Sequence, residues 1–165
     1  MDNTFHITSR GARKETIFYD SMDHDNFLYI LADTKQQHPF KLHAYCLMGN
    51  HFHHLMGIED TSQSVIMKSI HQRYARYFNK KYNLTGHVFQ SKYFAKPIDN
   101  PTHFLLASKY IHKNPVTAGI VTRPEDYLWS SYTEYILPTI THHSVIDTDT
   151  THSLFMKNPK LPYKQ

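Results

Sequence analysis

The sequence predicts an α+β fold, an antiparallel sheet of ferredoxin-like type with helices packed on one face. Three observations carry this reading. Short runs of alternating apolar residues are interspersed with longer segments whose apolar residues recur at three- and four-residue steps. Cap and turn residues separate the two kinds of segment. The resulting order is strand, helix, two strands, helix, strand, helix, which one sheet with helices against it accommodates most simply. At 165 residues the chain suits one domain with its own core. That domain is assigned to residues 1–138, and the polar, proline-bearing tail 139–165 is expected to be partly disordered.

The first strand is expected over Phe5–Ser9, where alternation stops at Arg10-Gly11 and the chain turns. Asp20 or Ser21 can cap a helix with Phe27, Ile30, Leu31 and Thr34 on its apolar face, stopping before Pro39. Phe40–Met48 and His51–Ile58 flank Gly49-Asn50, a pair that tolerates positive φ and so closes a tight hairpin. Ser62 can cap a second helix, in which Ile66, Ile70, Tyr74, Tyr77 and Phe78 share helical spacing. Arg73, Arg76, Lys80 and Lys81 fall largely on its other faces, and it ends near Asn83 to Gly86. The stretch His87–Ile98 reads as a strand or hairpin added to the sheet. Asn100-Pro101 offers a cap and a first-turn proline for a third helix through Phe104, Leu105 and Ile111, ending near Asn114-Pro115.

Composition narrows the class of protein. A hydrophobic fraction of 40% excludes a disordered chain. No apolar run approaches a bilayer span, and Met1-Asp2-Asn3 lacks the layout of a signal peptide, so a cytoplasmic protein with no membrane partner is expected. The lone Cys46 can form neither an internal disulfide nor a thiolate zinc site. The net charge of +4 is unevenly spread: from Lys68 to Lys113 nine basic residues face one acid, Asp99. Aromatic residues, among them Tyr74, Tyr77, Tyr93 and Phe94, interleave with these cations. That combination suits a groove that neutralises phosphates and stacks unpaired bases. A solvated helix face with core aromatics would give the same pattern.

Two pairs of residues could carry chemistry. Strand alternation puts His51 and His53 on one face, about 7 Å apart along the strand, where two neutral imidazoles can share a metal ion. With 14 histidines in the chain, one such spacing is expected by chance, and His54 should point to the opposite face as a satisfied or exposed histidine. Tyr110 and Asn114 lie four apart near the end of the third helix and project from the same side. They suit a nucleophile beside a metal ligand, although the pair taken alone fits better a core tyrosine followed by a C-terminal Asn before Pro115.

Ordered blocks through residues 4 to 135 decide between these readings. Thr8-Ser9-Arg10-Gly11, Met48-Gly49-Asn50-His51-Phe52-His53, Gly86-His87-Val88-Phe89-Gln90, Tyr110-Ile111-His112-Lys113-Asn114-Pro115 and Trp129-Ser130-Ser131-Tyr132 resemble the HUH-type single-strand DNA tyrosine transposases, most of all their REP-associated branch. The resemblance implies an HUH endonuclease fold, His51 and His53 as the metal-binding histidines, Asn114 as third ligand and Tyr110 as the catalytic tyrosine. It also implies Mg²⁺ or Mn²⁺ as cofactor, and a hairpin-forming single strand as substrate, cleaved through a 5′-phosphotyrosine link that leaves a free 3′-hydroxyl. Because that link retains the phosphodiester's energy, a second 3′-hydroxyl can reverse the step, giving strand transfer rather than hydrolysis. Arg10, Arg73, Arg76, Lys80, Lys92 and Lys96 are the residues expected to grip DNA. Relatives act as monomers or homodimers, and either is expected here. Two departures stand out: Gly49 replaces a common proline, and His54 replaces an aliphatic residue.

The alternative from another class is a domesticated, non-catalytic binding protein for single-stranded nucleic acid, which basic edges and exposed aromatics would also serve. A replication initiator or relaxase would share the histidine pair and tyrosine but orders its motifs differently. A structural zinc protein is the weakest alternative, since two histidines without thiolates make a poor closed tetrahedral site.

Overall fold

The structure is a computed structural model that describes residues 3–136 and 145–157. Its elements are β1 (Thr4–Arg10), α1 (Ser21–Gln37), β2 (Phe40–Met48), β3 (His51–Ile58), α2 (Gln63–Tyr82), β4 (Phe94–Pro97), α3 (Pro101–Thr117), α4 (Tyr132–Ile136) and α5 (Asp149–Lys157). The four strands pair antiparallel in the order β2-β3-β1-β4. The α+β sheet expected from the sequence is therefore the fold. No helix among the described residues is long and apolar enough to cross a membrane.

Local chemistry explains most element ends. Asp20 accepts from the Asp23 backbone and Asp23 returns the bond, a reciprocal cap that starts α1. Asn100 accepts from the His103 backbone at 2.9 Å, with Pro101 in the first turn of α3. Ser62 sits at the start of α2, but its hydroxyl meets Ser64 instead of capping the helix. α3 runs past Asn114 to Thr117 with Pro115 inside it. A proline this close to the end breaks little, because Gly119 (φ 69°) and Ile120 donate back to Val116 and Pro115 and close the last turn.

The layering differs from the expectation in one respect: helices cover both faces of the sheet. Ile7, Leu42, Tyr45, Leu47, Phe52 and Met56 pack with Phe27, Leu31, Ile70 and Tyr74 of α1 and α2. Ala44, Cys46, Met48 and Leu55 pack with Phe104, Leu105 and Ile111 of α3 on the other side. β2 and β3 are buried almost throughout, as strands covered on both faces are. A bulge between Leu42 and Ala44 accommodates His43 as an extra residue, so Leu42 and Tyr45 share a face although three apart.

The hairpin turn also departs from the reading of its sequence. Neither Gly49 nor Asn50 has positive φ. The turn is instead pinned from outside: Ile17 and Phe18 donate to the Gly49 carbonyl, and Gly11 donates to that of Asn50. Of the expected strand His87–Ile98 only Phe94–Pro97 is regular, while Phe89 makes a single bridge to Gly11. The free edge of β2 is covered by residues 129–131, with Leu47 donating to Trp129 and Ser131 to Tyr45. Of the tail, residues 145–157 pack on the domain, where Asp147 accepts from Lys35 at 2.5 Å and from the Leu42 backbone. Residues 139–144 and 158–165, on which the expectation of disorder also falls, lie outside the described residues.

Candidate active site

Alternation along β3 turns His51, His53 and Leu55 toward α3. Their partners across the β1 ladder are Arg10, Thr8 and His6, which share that face because directly opposed residues point the same way. α3 anchors itself over this surface through Phe104, Leu105 and Ile111. Tyr110 and Asn114, one turn apart, then overhang the histidines. The ring of Tyr110 lies 5.7 Å from those of both His53 and His6, edge-on, and Asn114 Nδ2 is 3.3 Å from His53 Nε2. The rings of His51 and His53 are 5.0 Å apart. Tyr110 is 54% exposed, so a large substrate can reach it.

The site keeps its imidazoles neutral. Burial, then the proximity of His6, pushes His53 down to about 3. Burial followed by Lys96 pushes His6 down to about 4, and burial followed by Arg10 lowers His51. Neutral imidazoles offer lone pairs to a cation. Their tautomers are set by neighbours: His51 Nδ1 lies 2.7 Å from Asn50 Oδ1, which can only accept, so Nε2 of His51 is left as the donor atom. His53 Nδ1 is 3.0 Å from both His6 Nε2 and Thr8 Oγ1, which leaves its Nε2 facing Asn114.

His51, His53 and Asn114 could therefore hold a divalent ion with two imidazole nitrogens and an amide oxygen, once the Asn114 amide presents Oδ1. Among the described residues no three His, Cys, Asp or Glu side chains gather as a metal cage.

Of the residues expected to grip DNA, Arg10 and Lys96 share the site's face by register, opposite His51 and His6. Lys92 is exposed just before β4. Arg73, Arg76 and Lys80 belong to α2, in the layer on the other side of the sheet. There Arg73 pairs with Asp33 at 2.8 Å and bonds Thr34, while Arg76 and Lys80 are exposed.

Sequence reasoning missed His6, although its parity with Thr8 and Arg10 on the first strand was available. His54 does face away from the site, but it is not exposed: it is fully buried against Phe52, and neither ring nitrogen has a hydrogen-bond partner among the described residues. The carboxyl-terminal brace was also missed. Ser131 Oγ accepts from the Tyr45 backbone and lies 2.7 Å from buried His112 Nε2, tying the helix that carries Tyr110 to the β2 edge.

An antiparallel α+β sheet with a histidine pair beneath a helix-borne tyrosine defines the class of HUH tyrosine transposases. This chain belongs to the IS200-like transposases: residues 1–114 match the model of the family described as "Transposase IS200 like". Among solved structures it is similar to a REP-associated tyrosine transposase bound to a REP hairpin, with TM-score 0.71, 18% identity and 89% of each chain covered. A structure from Deinococcus radiodurans R1, assigned as a transposase, covers 62% of this chain and 84% of its own, with TM-score 0.50 and 17% identity. No curated protein matches the chain.

Proposed function

We propose that the protein cleaves and rejoins single-stranded, hairpin-forming DNA, with Tyr110 as nucleophile and His51, His53 and Asn114 as ligands of Mg²⁺ or Mn²⁺. The observation that carries this reading is the convergence of these four side chains, drawn from β3 and α3, within hydrogen-bond or ring contact of one another. All four come from one chain, and the protein acts as a monomer or as a homodimer. The solved relative that holds a REP hairpin supports folded DNA as the partner.

When bound, the divalent ion supplies Lewis-acid polarisation of a phosphate oxygen. The chain's own residues do the rest. His51, locked by Asn50, and His53, locked by His6 and Thr8, present fixed lone pairs. Arg10 and Lys96 draw the phosphate backbone onto the sheet face. α3 aims the Tyr110 oxygen at phosphorus, where an O–P bond forms as the bond to the 3′ oxygen breaks. The phenol gives up its proton, the leaving 3′ oxygen takes one up, and the reverse attack by a 3′-hydroxyl rejoins the strand.

The test is incubation with Mn²⁺ and single-stranded hairpins from the DNA flanking the protein's own gene, followed by a denaturing gel. A covalent adduct that disappears with chelator and in Tyr110→Phe is the expected result. Binding without an adduct on a hairpin that a relative cleaves in parallel overturns catalysis and leaves a domesticated binding protein.

A further inference from the structure

Across the sheet edge from the site, a cavity of about 620 Å³ opens between the first half of α2 and residues 91–95. Gln63, Lys68, His71, Gln72, Lys92 and Tyr93 line it. Two of these residues each carry a polar atom, Gln63 Oε1 and His71 Nε2, that is buried with no hydrogen-bond partner among the described residues. Buried polar atoms without partners are rare in folded proteins, and a pair on residues lining one cavity marks a place built for a ligand's donors and acceptors. The ring of His71 is held in place by stacking on Phe89, with centroids 4.1 Å apart and planes 15° apart, and Tyr93 stands edge-on to it at 6.2 Å. Lys68 and Lys92 are exposed at the rim, and neither has an ion-pair partner among the described residues.

β4 connects this cavity to the site. Phe94 and Lys96 lie opposite Thr8 and His6 and so share the site's face, whereas Ala95 lies opposite Ile7 and lines the cavity. Phe94 is 68% exposed, an open aromatic surface at the outer edge of the sheet. A single strand leaving the site can stack on Phe94, turn round the edge and reach the cavity within the width of one strand.

We propose that this cavity is a subsite for one unpaired nucleobase of the DNA strand, with Gln63 and Gln72 reading the base edge and Lys68 and Lys92 neutralising the phosphates on either side. The carboxamide groups favour adenine, whose N6 amino group and N7 form the matching donor and acceptor pair. A cavity of this size accepts a base with its sugar, and the aromatic lining supplies the stacking that base burial needs. The proposal rests on the reading of single-stranded DNA as substrate, but it concerns binding and not cleavage.

The experiment uses Tyr110→Phe protein without metal, so that chemistry plays no part. Fluorescence anisotropy compares oligothymidylate decamers carrying one central adenine, cytosine, guanine or thymine. The expected result is that the adenine decamer binds about tenfold more tightly, and that Gln63→Ala brings the four decamers to equal affinity. Lys68→Ala with Lys92→Ala should weaken every decamer alike and flatten the slope of log affinity against log salt by about 1.4. A decamer with central 8-bromoadenine, irradiated and mapped by mass spectrometry, should crosslink to Tyr93. Equal affinity for all four decamers, or crosslinks confined to Phe94 and the site face, overturns the subsite while leaving cleavage by Tyr110 standing. Protein that keeps its thermal transition yet binds none of the decamers also overturns the subsite, and the adduct assay on hairpins decides the cleavage reading separately.

Discussion

Several side chains that could titrate in the interior are imidazoles held neutral by burial. His53, His54 and His112 are pushed down to about 3, and His6 and His71 to about 4, in each case chiefly because burial disfavours the charged ring. A depressed folded-state value means that the unfolded chain binds the extra protons first. The stability these groups contribute is thus complete above about pH 6.5 and is lost as pH falls toward 4 and below, by up to about 1.4 kcal/mol per pH unit for each. Among the described residues His54 makes no hydrogen bond, and its neighbours Phe27 and Phe52 suit an aliphatic side chain. His54→Leu should be neutral or stabilising in urea at pH 7 and should flatten the decline between pH 6.5 and 4; an unchanged pH slope would remove His54 from the cause. His6 acts at the site by orienting His53. On the proposed metal assignment, His6→Ala should weaken Mn²⁺ binding by roughly 10- to 100-fold in calorimetry with little change in thermal stability. Retained affinity would show that Thr8 alone orients the ring. At this scale the sequence was informative where parity or helical spacing applied, as for His51 with His53 and Tyr110 with Asn114. It was silent on His6, whose role depends on which strand becomes its neighbour.

At the scale of elements, two glycines show why one-letter turn signals mislead. Gly11 has ordinary extended backbone, but a Cβ there would meet the Glu15 carbonyl oxygen at 2.2 Å and Ile17 at 2.8 Å. Since Gly11 also donates to Asn50, Gly11→Ala should displace the loop that pins the hairpin and cost about 1–3 kcal/mol. Gly49, in the turn itself, has open space around it and no positive φ. Gly49→Ala should therefore stabilise by about 0.4–1 kcal/mol, through the unfolded chain. Denaturant midpoints for the two variants check both signs, and a destabilised Gly49→Ala would contradict the turn described above. Helix starts at Asp20 and Asn100 were legible because capping is local. The two-sided burial of β2 and β3 was written in their unbroken apolar runs, yet choosing which helix lies on which face requires the tertiary packing.

For the molecule as a whole, the site draws its groups from β1, β3 and α3, and the helix carrying Tyr110 is fixed partly by residues far along the chain. Trp129–Ser131 cover the β2 edge, Trp129 stacks on His24 at 4.3 Å, and Ser131 reaches His112. An uncovered edge strand invites pairing with another chain. A chain ending at Arg123 should therefore associate into large species in size-exclusion chromatography, even though every proposed catalytic group is still present. A monomeric truncation with its native thermal transition would show that the brace is dispensable. Long-range support of this kind leaves little periodic trace, which is why the segment carrying it was recognisable only as one block in a family resemblance.

The extra residue in β2 is absorbed by its bulge, so the strand keeps one phase on either side of it. Loss of the single codon for His43 would join Leu42 directly to Ala44 and restore plain alternation, so Tyr45 and Leu47 would still face α1 and α2 while Cys46 and Met48 still face α3. At this point in the gene, in-frame deletion is thus milder than at any other codon of the strand, where it would turn the following side chains to the opposite face, and lineages of this family should differ here in whether the extra residue is present.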